Sequence, residues 1–309
     1  MVGVLRGSGG GASVMLNAHV DTVGAGGMKR PFEPVMKDGR IYGRGAYDMK
    51  GSLAAIMVTA REAAKTGLRG DLIVTAVSDE EVASLGTESV LRRFRADAAI
   101  VTEPTELRLC LAHKGFVWIE VESTGVAAHG SRADLGVDAI AAMGPVLTGV
   151  AELAKRQERG KPHPLLGHGS IHASVIEGGV EMSTYPARCV ARLERRTLPG
   201  EDAAGSLREI EDMSDDGRVS AKAMLARQPS EVAADAPVAR AVAEAAGGPE
   251  TIGVAYWMDM ALLNAAGIPT VAFGPAGGGE HADVEWVDLA SLETCVDVYL
   301  KAVERLTRA

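Results

Sequence analysis

Cysteine, aromatic side chains, positive charge and long apolar runs are all in short supply in this chain. The three cysteines, Cys110, Cys189 and Cys295, are odd in number and widely spaced, with no CxxC or CxH pattern. That argues against a disulfide framework and a thiolate metal site, and for a reduced, cytoplasmic protein. No apolar stretch reaches the roughly 18 residues of a membrane span. Residues 1–6 contain no apolar core of a signal peptide. With 32 Lys and Arg against 41 Asp and Glu, the net charge is −9, which argues against nucleic acid or an anionic membrane as the main partner. Repeats and low-complexity linkers are also absent. The 309 residues, 47% of them apolar, suffice for two domains and a substantial core.

Metal-competent side chains stand where strand-like apolar runs end. His19 closes the run 14–18, and Ser78-Asp79-Glu80-Glu81 closes 72–77. Glu103-Pro104 closes 98–102, and Asp48 lies in the glycine-rich stretch Gly43-Arg44-Gly45-Ala46-Tyr47-Asp48-Met49-Lys50-Gly51. In α/β sheets the carboxyl ends of the strands form the crevice where ligands bind.

Residues 1–105 alternate strand and helix. Strands are expected at 14–20, 72–77 and 98–102. Helices are expected from about Ser52 to Lys65, with Leu53, Ile56, Met57 and Ala60 on one face, and near 87–95. The pattern predicts an α/β domain with a mostly parallel sheet covered by helices. From Thr105 the order changes to strand, helix, two strands, helix, strand. Residues 107–122 read as a strand pair or one bent strand, and Gly144-Pro145 is expected to kink or split the helix that starts near Val137. The α/β rhythm returns after about Ala233. The expected organisation is a discontinuous catalytic domain, 1–107 plus 228–309, with an α+β two-layer domain, 108–227, inserted into it.

Residues two apart in a strand share a face, so Asp21 is placed to accept the second ring N–H of a metal-bound His19 and fix its orientation. Of the adjacent pair Glu80-Glu81, one carboxylate can bind metal while the other moves a proton. Gly277-Gly278-Gly279-Glu280-His281 supplies a second imidazole on a flexible loop. Two histidines and three carboxylates suit Zn²⁺, Co²⁺ or Mn²⁺. Each feature has an ordinary alternative: paired glutamates are common on solvated helices, and Glu103 before proline is a normal turn residue. Their joint position at successive strand ends favours the metal reading. His163, His168 and His172 sit among Pro162, Pro164 and Gly167, a setting that favours an irregular loop over a further metal site.

The order His19-Val20-Asp21-Thr22, Gly43-Arg44-Gly45, Asp48-Met49-Lys50-Gly51, Asp79-Glu80-Glu81, Glu103-Pro104-Thr105, His113-Lys114-Gly115 and Ala128-His129-Gly130-Ser131 resembles the co-catalytic dizinc amidohydrolases and metallopeptidases. These include acetylornithine deacetylase, succinyl-diaminopimelate desuccinylase, aminoacylase and glutamate carboxypeptidase. The likeness continues through Arg195-Arg196-Thr197-Leu198-Pro199-Gly200-Glu201 and Gly274-Pro275 to His281. It implies a zinc-exopeptidase-like fold with an inserted dimerisation domain, and two divalent ions per chain, zinc foremost. Asp48 would bridge them, His19 and Glu103 completing one site and Glu81 and His281 the other. Glu80 would be the general base for a water activated between ions about 3.5–4 Å apart. His129, on sequence alone a surface loop residue, would reach the partner subunit's active site and hold the oxyanion, which implies a homodimer through 108–227.

The implied reaction is hydrolysis of the amide bond of an N-acyl amino acid. The alternatives are a small-peptide carboxypeptidase or dipeptidase of the same family, or a catalytically silent metal-binding dimer. Two departures from the family are visible. Its members carry a longer stretch before the first histidine, so this chain reads as an abbreviated product or one that starts late. Ser183 occupies a position where the family commonly has a substrate-contacting Asn. The segment Tyr256-Trp257-Met258-Asp259 reads either as a pocket wall or as a buried strand.

Overall fold

The computed structural model describes residues 1–214 and 217–308. Asp215 and Asp216, within the expected insertion, and Ala309, at the end of the expected catalytic segment, lie outside the described residues. Two compact units are present: Met1–Ala112 with Glu231–Gly253 and Met258–Ala309, and His113–Ser230 with Val254–Trp257.

The first unit is built on an eight-stranded sheet. Its centre is four parallel strands in the order Leu72–Val77, Val14–His19, Ala98–Val101 and Thr270–Ala272. Val2–Leu5 pairs antiparallel on one side, with Leu72–Val77. On the other side, Leu109–His113 pairs antiparallel with Thr270–Ala272 and is followed by Ser230–Glu231; Thr251–Val254 also pairs with Leu109–His113. The mostly parallel α/β sheet is as expected, with antiparallel strands added at its margins. Every residue of Val14–His19 is buried, the signature of a strand covered on both faces.

The helix Gly51–Ala63 buries Ser52, Ala55, Ile56, Thr59 and Ala63, a face rotated from the expected one. Of the expected residues only Ile56 is buried, and Met57 is exposed. Small side chains let this helix sit close, and Thr59 satisfies its hydroxyl on the Ala55 carbonyl, 2.9 Å away. The helix Leu289–Arg308 buries the long apolar row that ends in Ala302, Val303 and Leu306. A second, four-stranded sheet of very short strands runs Gly277–Gly278, Trp286–Asp288, Arg40–Tyr42, Val35–Lys37. Strands of two or three residues carry no readable period, so this sheet has no signature in the sequence pattern.

The second unit has a four-stranded antiparallel sheet in the order Val219–Arg227, Gly115–Thr124, Arg188–Thr197, Ser170–Gly178. Burial alternates along Gly115–Thr124, as period 2 requires of a sheet with one covered face. Val117, Ile119, Val121, Ala191 and Leu193 form a core with Met143, Val146, Val150 and Leu153 of the helix Ala139–Arg159 and Ile210 of Ala203–Glu211. The first of these helices is continuous through Pro145, so the expected split does not occur. Proline removes one intrahelical donor, and the buried row from Ala139 to Leu153 outweighs that loss. The stretch 107–122 resolves into two strands divided at Lys114.

Candidate metal centre

His19 is the last residue of a fully buried strand, and its side chain is 1% exposed. Its ring Nδ1 lies 3.0 Å from the backbone oxygen of Asp21 and 3.6 Å from that residue's carboxylate. The ring N–H therefore goes to the carbonyl rather than to the carboxylate expected from the sequence, since 3.6 Å is beyond hydrogen-bond length. The Asp21 carboxylate accepts instead from the backbone N–H of Glu81, at 3.2 Å. Asp21 thus contacts both His19 and Glu81, which lie on two different elements.

Asp48 lies in the π-helical turn Ala46–Lys50, where Asp48 and Met49 leave helical geometry and are joined by a cis peptide bond. Gly45, at φ 76°, opens the turn in the left-handed region where glycine is unstrained. The neighbours of Asp48 fasten the turn to the strand end: the Met49 thioether accepts from the backbone N–H of His19 at 3.4 Å, and Lys50 donates to the Val20 carbonyl at 2.6 Å.

The carboxylate of Asp48 faces two ways. Its Oδ1 is 2.9 Å from His19 Nε2, and Glu103 Oε1 is 3.6 Å from that same nitrogen. Its Oδ2 is 3.4 Å from His281 Nε2, which lies 3.1 Å from Glu81 Oε2. His19, Asp48 and Glu103 form one group, and Asp48, Glu81 and His281 another; within each, the ligand atoms lie within 4.8 Å of one another. Glu103 is fixed by a close backbone approach. A Cβ at Gly274 would come within 2.0 Å of the Glu103 carbonyl oxygen, so Gly274 cannot be replaced without movement.

This cluster carries more negative charge than its histidines balance. Burial by itself would lower the His19 pKa, yet the Asp21 and Asp48 carboxylates, with Glu103 nearby, push it up to about 12. The Asp48 carboxylate pushes His281 up to about 9, against some desolvation. Burial, then the negative charge of Asp48, raises Glu103 to about 8. Burial, with Glu103 and Asp259 close by, holds Glu80 well above the usual carboxylate range. Glu81 Oε1 and Asp21 Oδ1 are buried without a hydrogen-bond partner. Two imidazoles, three carboxylates and unpaired buried oxygens fit divalent cations.

The remaining expected residues fall elsewhere. His129 is exposed in the second unit, its Nδ1 2.8 Å from Ser131 Oγ. Ser183 lies beside that loop, its carbonyl accepting from the Gly130 N–H at 2.6 Å. His163 Nδ1 accepts from the backbone N–H groups of Leu165 and Leu166, both at 3.2 Å. Among the described residues neither it, His168 nor His172 belongs to a group able to hold a metal. Residues 256–259 form a connection before the helix Met260–Ala265, not a buried strand. Tyr256 is 44% exposed, whereas Asp259 is buried and accepts from Thr87 Oγ1 at 2.6 Å.

Sequence reasoning missed Glu285 and Arg44. The Glu285 carboxylate accepts from the backbone N–H groups of Gly45, Tyr47 and Asp48, at 2.8, 2.9 and 3.0 Å, and pairs with Arg44 at 2.8 Å. An acid four residues after His281 has no periodic signal to mark it.

Residues 15–305 match the model of peptidase family M20/M25/M40. Acetylornithine deacetylase of Myxococcus xanthus is 32% identical, over 98% of this chain and 83% of its own length. The aminopeptidase PepT of Bacillus cereus superposes with a TM-score of 0.79 at 18% identity, over 99% of this chain and 84% of its own. The YXEP protein of Bacillus subtilis, a dinuclear metal-binding peptidase, superposes with a TM-score of 0.72 at 17% identity, over 98% of this chain and 83% of its own.

Proposed function

The chain belongs to peptidase family M20/M25/M40, a metal-binding hydrolase, and from that premise we propose that it cleaves the amide bond of an N-acyl amino acid with two divalent ions. The single observation that carries the two-ion reading is the Asp48 carboxylate, whose two oxygens face separate histidines, each with its own glutamate. The preference for an N-acyl amino acid over a short peptide rests on the 32% identity to acetylornithine deacetylase.

His19 and Glu103 would hold one ion, Glu81 and His281 the other, and Asp48 both; the nitrogen and oxygen donors suit Zn²⁺, with Co²⁺ or Mn²⁺ as substitutes. Bound there, the ions would polarise the scissile carbonyl and acidify a water. Glu80 takes a proton from the attacking water as its oxygen bonds to the carbonyl carbon. As the C–N bond breaks, Glu80 returns that proton to the departing amine nitrogen, leaving a carboxylate and an amine. Burial, with Glu103 and Asp259 close by, holds its pKa above the usual carboxylate range, which favours keeping the proton between the two steps. Asp21 orients His19 through its carbonyl and Glu81 through its carboxylate.

His129 would steady the oxyanion from the partner subunit, its ring being exposed and tied at one nitrogen only to its own loop. The homodimer we infer would form through residues 108–227. Ser170–Gly178 ends that unit's sheet, and Val175, Ile176, Val180 and Met182 are exposed on it and on the turn that follows, a sheet edge that pairing would cover. Buried free cysteines accord with a cytoplasmic setting. No helix among the described residues is long and apolar enough to cross a membrane.

The test is metal content per chain after purification without chelator, with hydrolysis of a panel of N-acyl amino acids and dipeptides on the same sample. Two ions with turnover of an N-acyl amino acid are expected. Turnover of dipeptides alone would move the assignment to the peptidase reading, and two ions without any turnover would favour the silent dimer. Failure to bind ions after reconstitution with Zn²⁺ or Co²⁺ would overturn the proposal.

A further inference from the structure

The two halves of the site are held differently. His19 and Glu103 are 1% and 5% exposed and lie at the ends of buried parallel strands. Glu81 and His281 are carried by connecting loops, and the His281 side chain is 56% exposed with its backbone at φ 59°. Its own packing does not fix it. Two contacts reach its loop from elsewhere in the chain: Gly27 N–H donates to Asp283 Oδ1 at 2.9 Å, and Arg44, the buried one, donates to the carbonyl of the adjacent residue, Ala282, at 2.8 Å.

The same guanidinium pairs with Glu285, and both side chains are 1% exposed. Each oxygen of Glu285 accepts twice: Oε1 from the N–H groups of Tyr47 and Asp48, Oε2 from Gly45 N–H and Arg44. A buried ion pair is costly to desolvate and is weak evidence for stability on its own. Here its acceptors are spent on the backbone of the turn that carries Asp48, and a donor on the loop that carries His281.

We propose that Arg44 and Glu285 are a positioning pair that sets Asp48 and His281 at the distance an ion between them requires, so that their loss weakens the Glu81–His281 site far more than the His19–Glu103 site. This rests on the two-ion reading above. Neither residue belongs to either group of candidate ligands. Glutamine at 285 would present one acceptor oxygen and one donor nitrogen, so two of the four donors now bound would face an N–H group. Lysine at 44 would keep the charge but lose the fork that serves Glu285 and Ala282 together.

The experiment titrates Zn²⁺ against a chromophoric chelator in wild type, Glu285→Gln and Arg44→Lys. Amide exchange at Gly45, Tyr47 and Asp48 is followed in parallel in chelated protein. For Glu285→Gln, the second Zn²⁺ should bind about 10–100-fold more weakly, the usual range for losing a partner behind a ligand. The first Zn²⁺ should be little changed, and the amides of Tyr47 and Asp48 should exchange about tenfold faster or more. Arg44→Lys should weaken the second ion while leaving those amides protected. Equal weakening of both ions with a general loss of protection would mean that the pair only holds the fold, and would overturn the proposal. Unchanged second-ion affinity with protected amides would do the same. A wild type that takes up fewer than two Zn²⁺ would sink the two-ion reading, while the exchange at Tyr47 and Asp48 would still decide whether Glu285 holds the turn.

Discussion

Two histidines close buried strands, and the contrast between them separates burial from function. His19 ends Val14–His19 and His113 ends Leu109–His113; the two residues are 1% and 0% exposed. Each has its Nδ1 3.0 Å from a backbone carbonyl, of Asp21 and Lys114 respectively. They part at the far nitrogen. His19 Nε2 meets Asp48 and Glu103, whereas His113 Nε2 is buried with no hydrogen-bond partner, edge-on to Trp257. Desolvation acts on both rings. At His19 the carboxylates overrule it and push the pKa up to about 12, while at His113 it prevails and pulls the pKa down to about 4. Burial at a strand end is therefore common to both histidines, and what sets His19 apart is the carboxylates around its outer nitrogen.

The largest test of that difference removes the carboxylate shared by both ligand groups. Asp48→Ala should abolish binding of both ions, read by metal analysis, and take hydrolysis to background, because His19 loses its nearest acid and both histidines lose the one they share. Retention of one tightly bound ion would break the bridging assignment. Glu80→Ala should leave two ions in place and lower turnover about 10²–10⁴-fold, the usual contribution of a positioned base. Loss of metal in that variant would make Glu80 a ligand instead. His129→Ala should spare metal content and lower turnover about 10²–10³-fold, the scale of one oxyanion donor. An unchanged rate would return His129 to the surface-loop reading.

How much of this was readable beforehand follows from range. His19, Glu81 and Glu103 end or follow apolar runs, and strand ends at one edge of a parallel sheet converge, whereas Asp48 and His281 stand in glycine-rich stretches and are tied to the others by the family resemblance. The helix Pro237–Ala245 falls where the α/β rhythm was expected to return, and it buries Val238, Ala239 and Val242. The buried face of Gly51–Ala63 was misjudged because hydrophobicity was weighed above size, and the structure buries Ser52 and Thr59 in place of Met57. Asp21 was given the right neighbour and the wrong atom, a choice decided by the Glu81 N–H 60 residues away. Arg44 and Glu285 lie 241 residues apart, and no local pattern links them. The side chains that the structure gathers into two groups were nominated from the sequence; of those that hold them in place, Asp21 was nominated and Arg44 and Glu285 were not.

The smallest expected effect sharpens the comparison from the His113 side. Its folded pKa of about 4 lies below its ordinary value of 6.5, so the unfolded chain takes up the proton first as pH falls. The stability this neutral ring retains is complete above about pH 6.5 and is lost between there and pH 4, where the folded ring also charges. At about 1.4 kcal/mol per pH unit of difference, the loss is about 2–3 kcal/mol by pH 4.5. His113→Phe keeps a ring against Trp257 and has nothing to titrate. Denaturant unfolding of both proteins, with chelator present so that ions do not contribute, should show wild type losing that much stability relative to the variant between pH 7.5 and pH 4.5. Parallel pH profiles would mean that the buried Nε2 of His113 has a proton partner after all, and the contrast with His19 would then rest on geometry alone.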